Sequence, residues 1–181
     1  MDLSQLPQAN EIVVSAHEAA HAVASVRLGL PFEYVTIGDD DDGPRVESID
    51  NLARPIVFHR GGGACRGPDR PICERCRMEQ DRAESWIIMA LCGSIGVAGT
   101  GSKLFGYGHE DDKVYVADFC RTAFADSSDE DVNARIKPLL ERALELMRLE
   151  AKRVSAVAKA LRTRRTLTED EVKDIMQNAS E

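Results

Sequence analysis

From Ile12 to Val26 the chain is apolar with few interruptions, and the interruptions include His17-Glu18-Ala19-Ala20-His21. Ile12, Val13, Val14, Ala16, Ala19, Ala20, Ala22, Val23, Ala24 and Val26 surround the motif. A helix is expected from about Asn10 to Arg27, with Asn10 as N-cap and Gly29 and Pro31 as stops. A helix apolar nearly all round is buried on most sides. Two imidazoles and a carboxylate inside it cost several kcal/mol unless they are paired or bound to metal. Residues four apart share a helix face, so His17 and His21 can point at one ion. Glu18, the next residue round the helix, is placed to deprotonate a water held there. This H-E-x-x-H pattern is the two-ligand-plus-base arrangement of zinc peptidases. The alternative is a His–Glu–His cluster satisfied by hydrogen bonds alone.

The chain's 181 residues suit one domain, 1–181, with a real core. Its net charge of −8 argues against nucleic-acid binding. No apolar run approaches the length of a membrane span. Met1 to Gln5 lack the basic and apolar regions of a secretion signal, so a cytoplasmic location is expected. Five cysteines without such a signal do not read as a disulfide framework. Cys92 and Cys120 lie in apolar helical contexts and read as buried thiols.

The expected fold is mainly α, of the α+β class: a helical, zincin-like domain with a small β-sheet near the N-terminal zinc helix. Phe32 to Ile37 reads as a strand, and Arg45 to Ile49 and Pro55 to His59 as two more. The run Asp39-Asp40-Asp41-Asp42 between glycines reads as a solvated turn. Helices are expected over Glu79–Ala98, Asp111–Ala125 and Asp129–Arg162. The apolar positions of the long one include Leu139, Leu140, Leu144, Met147, Val154, Val157 and Leu161. A last helix opens with Thr168 as N-cap and Glu171 completing a capping box.

The segment at about 59–77 reads as an irregular Gly/Cys-rich insertion. His59, Cys65, Cys73 and Cys76 are a possible second, structural metal set, because three thiolates and an imidazole complete a tetrahedral zinc site. A flexible loop with reduced thiols, or a redox pair, is the competing reading.

A catalytic zinc site takes three protein ligands and leaves one position for water. Gly106-Tyr107-Gly108-His109-Glu110-Asp111-Asp112 offers His109, Glu110, Asp111 and Asp112 as chemically possible third ligands. Asp111 and Asp112 also suit a helix start for dipole reasons alone.

The chain resembles the peptidase domain of FtsH-type ATP-dependent zinc proteases. The family's H-E-A-G-H-A helix is similar to His17-Glu18-Ala19-Ala20-His21-Ala22. Its turn and V-T-I strand are matched by Leu30 to Ile37, and its L-G-G helix by Leu91-Cys92-Gly93. Its G-A-x-N-D motif, whose aspartate is a zinc ligand, is matched by Gly108 to Asp112. The long helix, the Leu161 to Leu167 connection and Thr168-Glu169-Asp170-Glu171-Val172 follow in the family's order. The resemblance implies Zn²⁺ held by His17, His21 and Asp112, with Glu18 as the catalytic base of a metalloendopeptidase acting on peptides or unfolded proteins. It also raises a homo-oligomer or a separate ATPase as partner. By simple strand chemistry, Val35-Thr36-Ile37 is expected to take an extended peptide by strand addition.

The chain departs from the family in four ways. Ala20 replaces a glycine, Asp111 an asparagine, and Ser94-Ile95-Gly96-Val97-Ala98 stands where the family carries R-A-A-E-E. No phosphate-binding G-x-x-x-x-G-K-[ST] loop is present, so self-powered unfolding is excluded for these residues. These departures leave a second function open: a zinc-binding, non-proteolytic relative acting as adaptor or regulator.

Overall fold

A computed structural model of the protein describes residues 6–37, 64–66, 80–99, 116, 120 and 128–179. In chain order these form α1 (Leu6–Leu28), β1 (Tyr34–Thr36), β2 (Ala64–Arg66), α2 (Gln80–Ala98), α3 (Asp129–Arg164), β3 (Thr166–Thr168) and α4 (Glu169–Asn178). The described chain is thus mainly helical with one small antiparallel sheet. Val116 and Cys120 are helical and buried. The strands read at 45–49 and 55–59, and most of the helix read at 111–125, lie outside the described residues.

α1 begins at Leu6, so Asn10 is inside the helix and not its cap. Pro7 falls in the first turn, where its missing N–H breaks no helical bond. The other end closes as expected. Gly29 takes φ +66°, its N–H donates to Val26 O (3.3 Å), and Leu30 N–H reaches back to Ser25 O (2.9 Å). That double closure satisfies the last carbonyls and turns Leu30 into the core.

The capping box of α4 is as read: Thr168 accepts from Glu171 N–H and Glu171 Oε2 accepts from Thr168 N–H. α3 carries a second box, Ser128 with Asp131, and runs through Pro138. Burial divides the apolar positions of the long helix. Leu139, Met147, Val154, Val157 and Leu161 are buried, but Leu140 and Leu144 are 38% and 49% exposed.

The sheet order is β2-β1-β3, with both pairings antiparallel. Val35 faces Cys65 on one side and Leu167 on the other in register. β1 is therefore the central strand. Both its edges are occupied, so the expected strand addition of a peptide to Val35-Thr36-Ile37 is corrected. β2 falls inside the segment read as an irregular insertion, and β3 inside a segment read as a plain connection.

Arg165, between α3 and β3, has φ +67°, a conformation that costs a non-glycine residue about 1–2 kcal/mol. Its surroundings hold it there. Its N–H donates to Leu161 O, and its carbonyl accepts from Ile37 N–H (2.9 Å) and the Thr36 hydroxyl (3.2 Å). Its guanidinium reaches Glu11 and Ile37 O, tying α3 to α1 and to the end of β1.

The core lies where α1, α2 and α3 meet. Ala16, Ala19, Ala20, Ala22 and Val23 of α1 are buried, whereas Ile12, near the helix start, is 45% exposed. α2 comes unusually close to α1. A Cβ at Gly96 would stand 2.5 Å from Ala20 Cβ and 2.9 Å from Ala16 O. The methyl of Ala20 is thus accommodated by a glycine on the facing helix. At the far end, Glu150 of α3 is buried and pairs with Arg27 of α1 and Arg153 (both 2.9 Å), and Arg153 Nε donates to Met176 O in α4 (3.0 Å). Among the described residues no helix is long and apolar enough to cross a membrane.

Gly96→Ala is expected to destabilise by about 1–3 kcal/mol through overpacking. Adding Ala20→Gly should restore part of that, while the Ala16 carbonyl keeps the remainder. Denaturant unfolding of the two single variants and the double variant measures this coupling.

Candidate metal centre

His17 and His21 lie one turn apart on α1 and both face α2. Each is 5% exposed, and Glu18 between them is 1% exposed. The imidazoles meet edge to face, with centroids 4.6 Å apart and planes at 85°. Their Nε2 atoms are 3.1 Å apart.

His21 Nδ1 lies 2.9 Å from the carbonyl oxygen of Met89. A carbonyl only accepts, so Nδ1 carries a proton, and neutral His21 presents the Nε2 lone pair toward His17. A metal-ligating histidine is commonly held this way: its outer N–H is donated to a carbonyl, and the inner nitrogen is left for the ion.

Gly93 lies one turn beyond Met89 on α2. A Cβ there would fall 2.3 Å from His21 Nε2 and 2.7 Å from His17 Cε1. No side chain fits between α2 and the two rings. The glycine is a cradle for the imidazoles.

These observations fit a metal ion. Two nitrogens at about 2.0–2.1 Å from one tetrahedral ion stand roughly 3.3–3.4 Å apart, and the observed separation is close to that. Two imidazoles with their inner nitrogens converging, when unprotonated there, are zinc donors by chemistry. Glu18 is buried beside them on the same helix, and its Oε2 is shut off from solvent.

Among the described residues no group of three or more His, Cys, Asp or Glu side chains is arranged to hold an ion. The pair His17–His21 therefore needs a donor from elsewhere. Asp112, assigned that role by resemblance, lies outside the described residues, as do His109, Glu110 and Asp111. The second candidate set is in the same position: His59, Cys73 and Cys76 lie outside the described residues. Of Cys65 only the strand backbone is described, paired with Val35.

Cys92 and Cys120 are buried free thiols, as read. Burial pushes the Cys92 thiol up to about 12. It stays protonated at neutral pH and so does not compete as a thiolate ligand beside Gly93.

Sequence reasoning missed two parts of the site. Gly93 was visible within Leu91-Cys92-Gly93, but its contact with the imidazoles depends on how α2 crosses α1. The Met89 carbonyl carries no sequence signal, because every residue has one.

No family model matches the chain, and no curated protein sequence matches it.

Gly93→Ala is expected to displace both rings and lower zinc affinity at least tenfold while the helices persist. Zinc titration with circular dichroism on the same samples measures both. Cys92 should resist thiol reagents at pH 8 in the folded protein, where its thiolate fraction is about 10⁻⁴. It should react within minutes after unfolding, as read by mass mapping of labelled peptides.

Proposed function

We propose that this chain is a zinc-dependent metallopeptidase that hydrolyses peptide bonds through an activated water. The observation that carries the reading is the convergence of His17 Nε2 and His21 Nε2 to 3.1 Å, with His21 oriented by Met89 O. A hydrogen-bonded pair without metal accounts for the distance alone. The Gly93 cradle and the buried Glu18 beside the pair favour the metal reading.

His17 and His21 would hold the ion, with Asp112 as the third protein ligand by resemblance to the FtsH-type peptidases. Zn²⁺ in such a site acidifies water toward neutrality and polarises a scissile carbonyl. Glu18 would take the water's proton on its carboxylate and deliver it to the departing amine nitrogen. Its burial serves that role, because a carboxylate shielded from bulk water exchanges protons with the reacting groups rather than with solvent. The Met89 carbonyl keeps His21 in one tautomer and one ring orientation. The zincin-like fold, the peptide or unfolded-protein substrate, a homo-oligomer or partner ATPase, and the cytoplasmic setting belong to the same proposal.

Glu18→Gln is expected to retain one zinc per chain and lose hydrolysis of an unfolded, casein-like substrate by at least 10³-fold. His21→Ala should lose the zinc itself. Elemental analysis and a fluorescent casein assay on the three proteins check both. Zinc without turnover in the unaltered chain would replace the peptidase with a zinc-binding adaptor or regulator. That outcome would fit the missing carboxylates at 94–98.

A further inference from the structure

α3 meets α1 over only part of its length. The two helices run antiparallel, because Arg162 meets Ser15 and Glu150 meets Arg27. α1 ends one residue after Arg27, at Leu28. From Asp129 to Glu150, roughly 30 Å of α3 therefore continues past the end of α1. At 100° per residue, Leu140 and Leu144 lie five turns before Ala158 and Arg162, on the same lines of the helix. Ala158 is buried and Arg162 reaches α1, whereas Leu140 and Leu144 are exposed. α2 does not take over the cover from α1. Its contact with this stretch is Glu84 to Arg142 (2.8 Å), about 160° round α3 from the leucines. Among the described residues, two leucines thus extend the α1-facing side of α3 with nothing packed on them.

The charges beside them are arranged for self-pairing. Lys137 and Glu141 flank the leucines one turn apart, both exposed. Among the described residues neither holds an oppositely charged partner. Half-buried Ile136 lies one turn before Leu140. Consider a second α3 laid antiparallel about a two-fold axis at Leu140. Leu140 then meets Leu140 of the partner subunit, and Leu144 meets Ile136 of the partner subunit. Lys137 meets Glu141 of the partner subunit, and the symmetry makes that ion pair twice. Other registers fail on charge. An axis midway between the leucines sets Glu141 near Glu141 of the partner subunit, and Lys137 near Arg148 of the partner subunit. An axis at Leu144 sets Leu140 against Arg148 of the partner subunit. Parallel pairing opposes Lys137 to Lys137 of the partner subunit. Like charges held together select against those arrangements.

We propose that the 136–144 face of α3 is an interface between two copies of this chain, antiparallel about a two-fold axis at Leu140. The contact is small, so the dimer is weak and concentration-dependent. It is independent of the peptidase reading, since it needs neither zinc nor turnover.

Sedimentation equilibrium of the full chain should show reversible association from monomer to dimer at concentrations up to about 100 µM. Lys137→Glu and Glu141→Lys each place two like-charge contacts across the axis, and each should weaken association at least tenfold. An equimolar mixture of the two variants should recover it to within about threefold of the parent, because every cross-axis contact then joins opposite charges. Circular dichroism confirms that these exposed substitutions leave the helices intact. A parent chain that stays monomeric overturns the proposal, and means that another part of the chain covers the leucines. Association that survives both single substitutions, or a mixture that does not recover, overturns it equally. Should either charge variant not fold, Leu140→Asp still decides: it should abolish association, and a dimer that persists overturns the interface. Zinc content and casein turnover of the same samples are scored separately, so the loss of either reading leaves the other standing.

Discussion

The rest of the structure depends on how closely α2 crosses α1. Two glycines set that distance. At Gly96 the facing atoms are a methyl and a main-chain carbonyl, so the contact sets the helix separation. At Gly93 the facing atoms are the two imidazoles, so the same separation becomes the depth of the site. The Met89 carbonyl reaches His21 because α2 is held that near. A wider crossing would leave the outer nitrogen of His21 without its acceptor and its ring free to turn. Packing and donor geometry therefore change together.

α1 is buried from two sides by chemically different neighbours. Toward α2 it presents small residues and the histidine pair. Toward α3 it presents Ser15, whose hydroxyl accepts from the Arg162 guanidinium. The far end of α1 is fastened by Arg27 to Glu150, which limits sliding of α1 along α3.

Much of this was legible in the sequence, for identifiable reasons. The apolar helix around His17 and His21, the Gly29 stop and the Thr168–Glu171 box depend on local chemistry, which neighbouring residues encode. The start of α1 was misplaced because Asn10 is a good cap residue but the helix continues four residues before it. β2 and β3 were missed because three-residue strands are too short for alternation to register. Ala64–Arg66 is flanked by glycine and proline, and its pairing with β1 is set by tertiary contact. β1 was read correctly as a strand but wrongly as an edge, since strand order is not a local property. Leu140 and Leu144 repeat at helical spacing, yet they are exposed, since spacing alone does not say which face the neighbouring helices cover. At the centre, the shared face of His17 and His21 was read from spacing, whereas the Met89 carbonyl and the Gly93 cradle required the crossing of two helices.

The sheet register has a consequence for how the protein comes into being. β1 pairs with β3 between Tyr34 and Thr168, so its partner is made more than a hundred residues later. α3, which covers α1, begins at Asp129, also far downstream. During synthesis at about 5–20 residues per second, the helix bearing His17, Glu18 and His21 waits several seconds or more before its cover exists. For that interval it is an unshielded apolar rod. Its apolar surface stays open to chaperones until Met89 and Gly93 of α2 and then α3 cover it. Contacts this distant in sequence also slow closure of the fold. The histidine pair is thereby left without its full enclosure until nearly the whole described architecture has assembled.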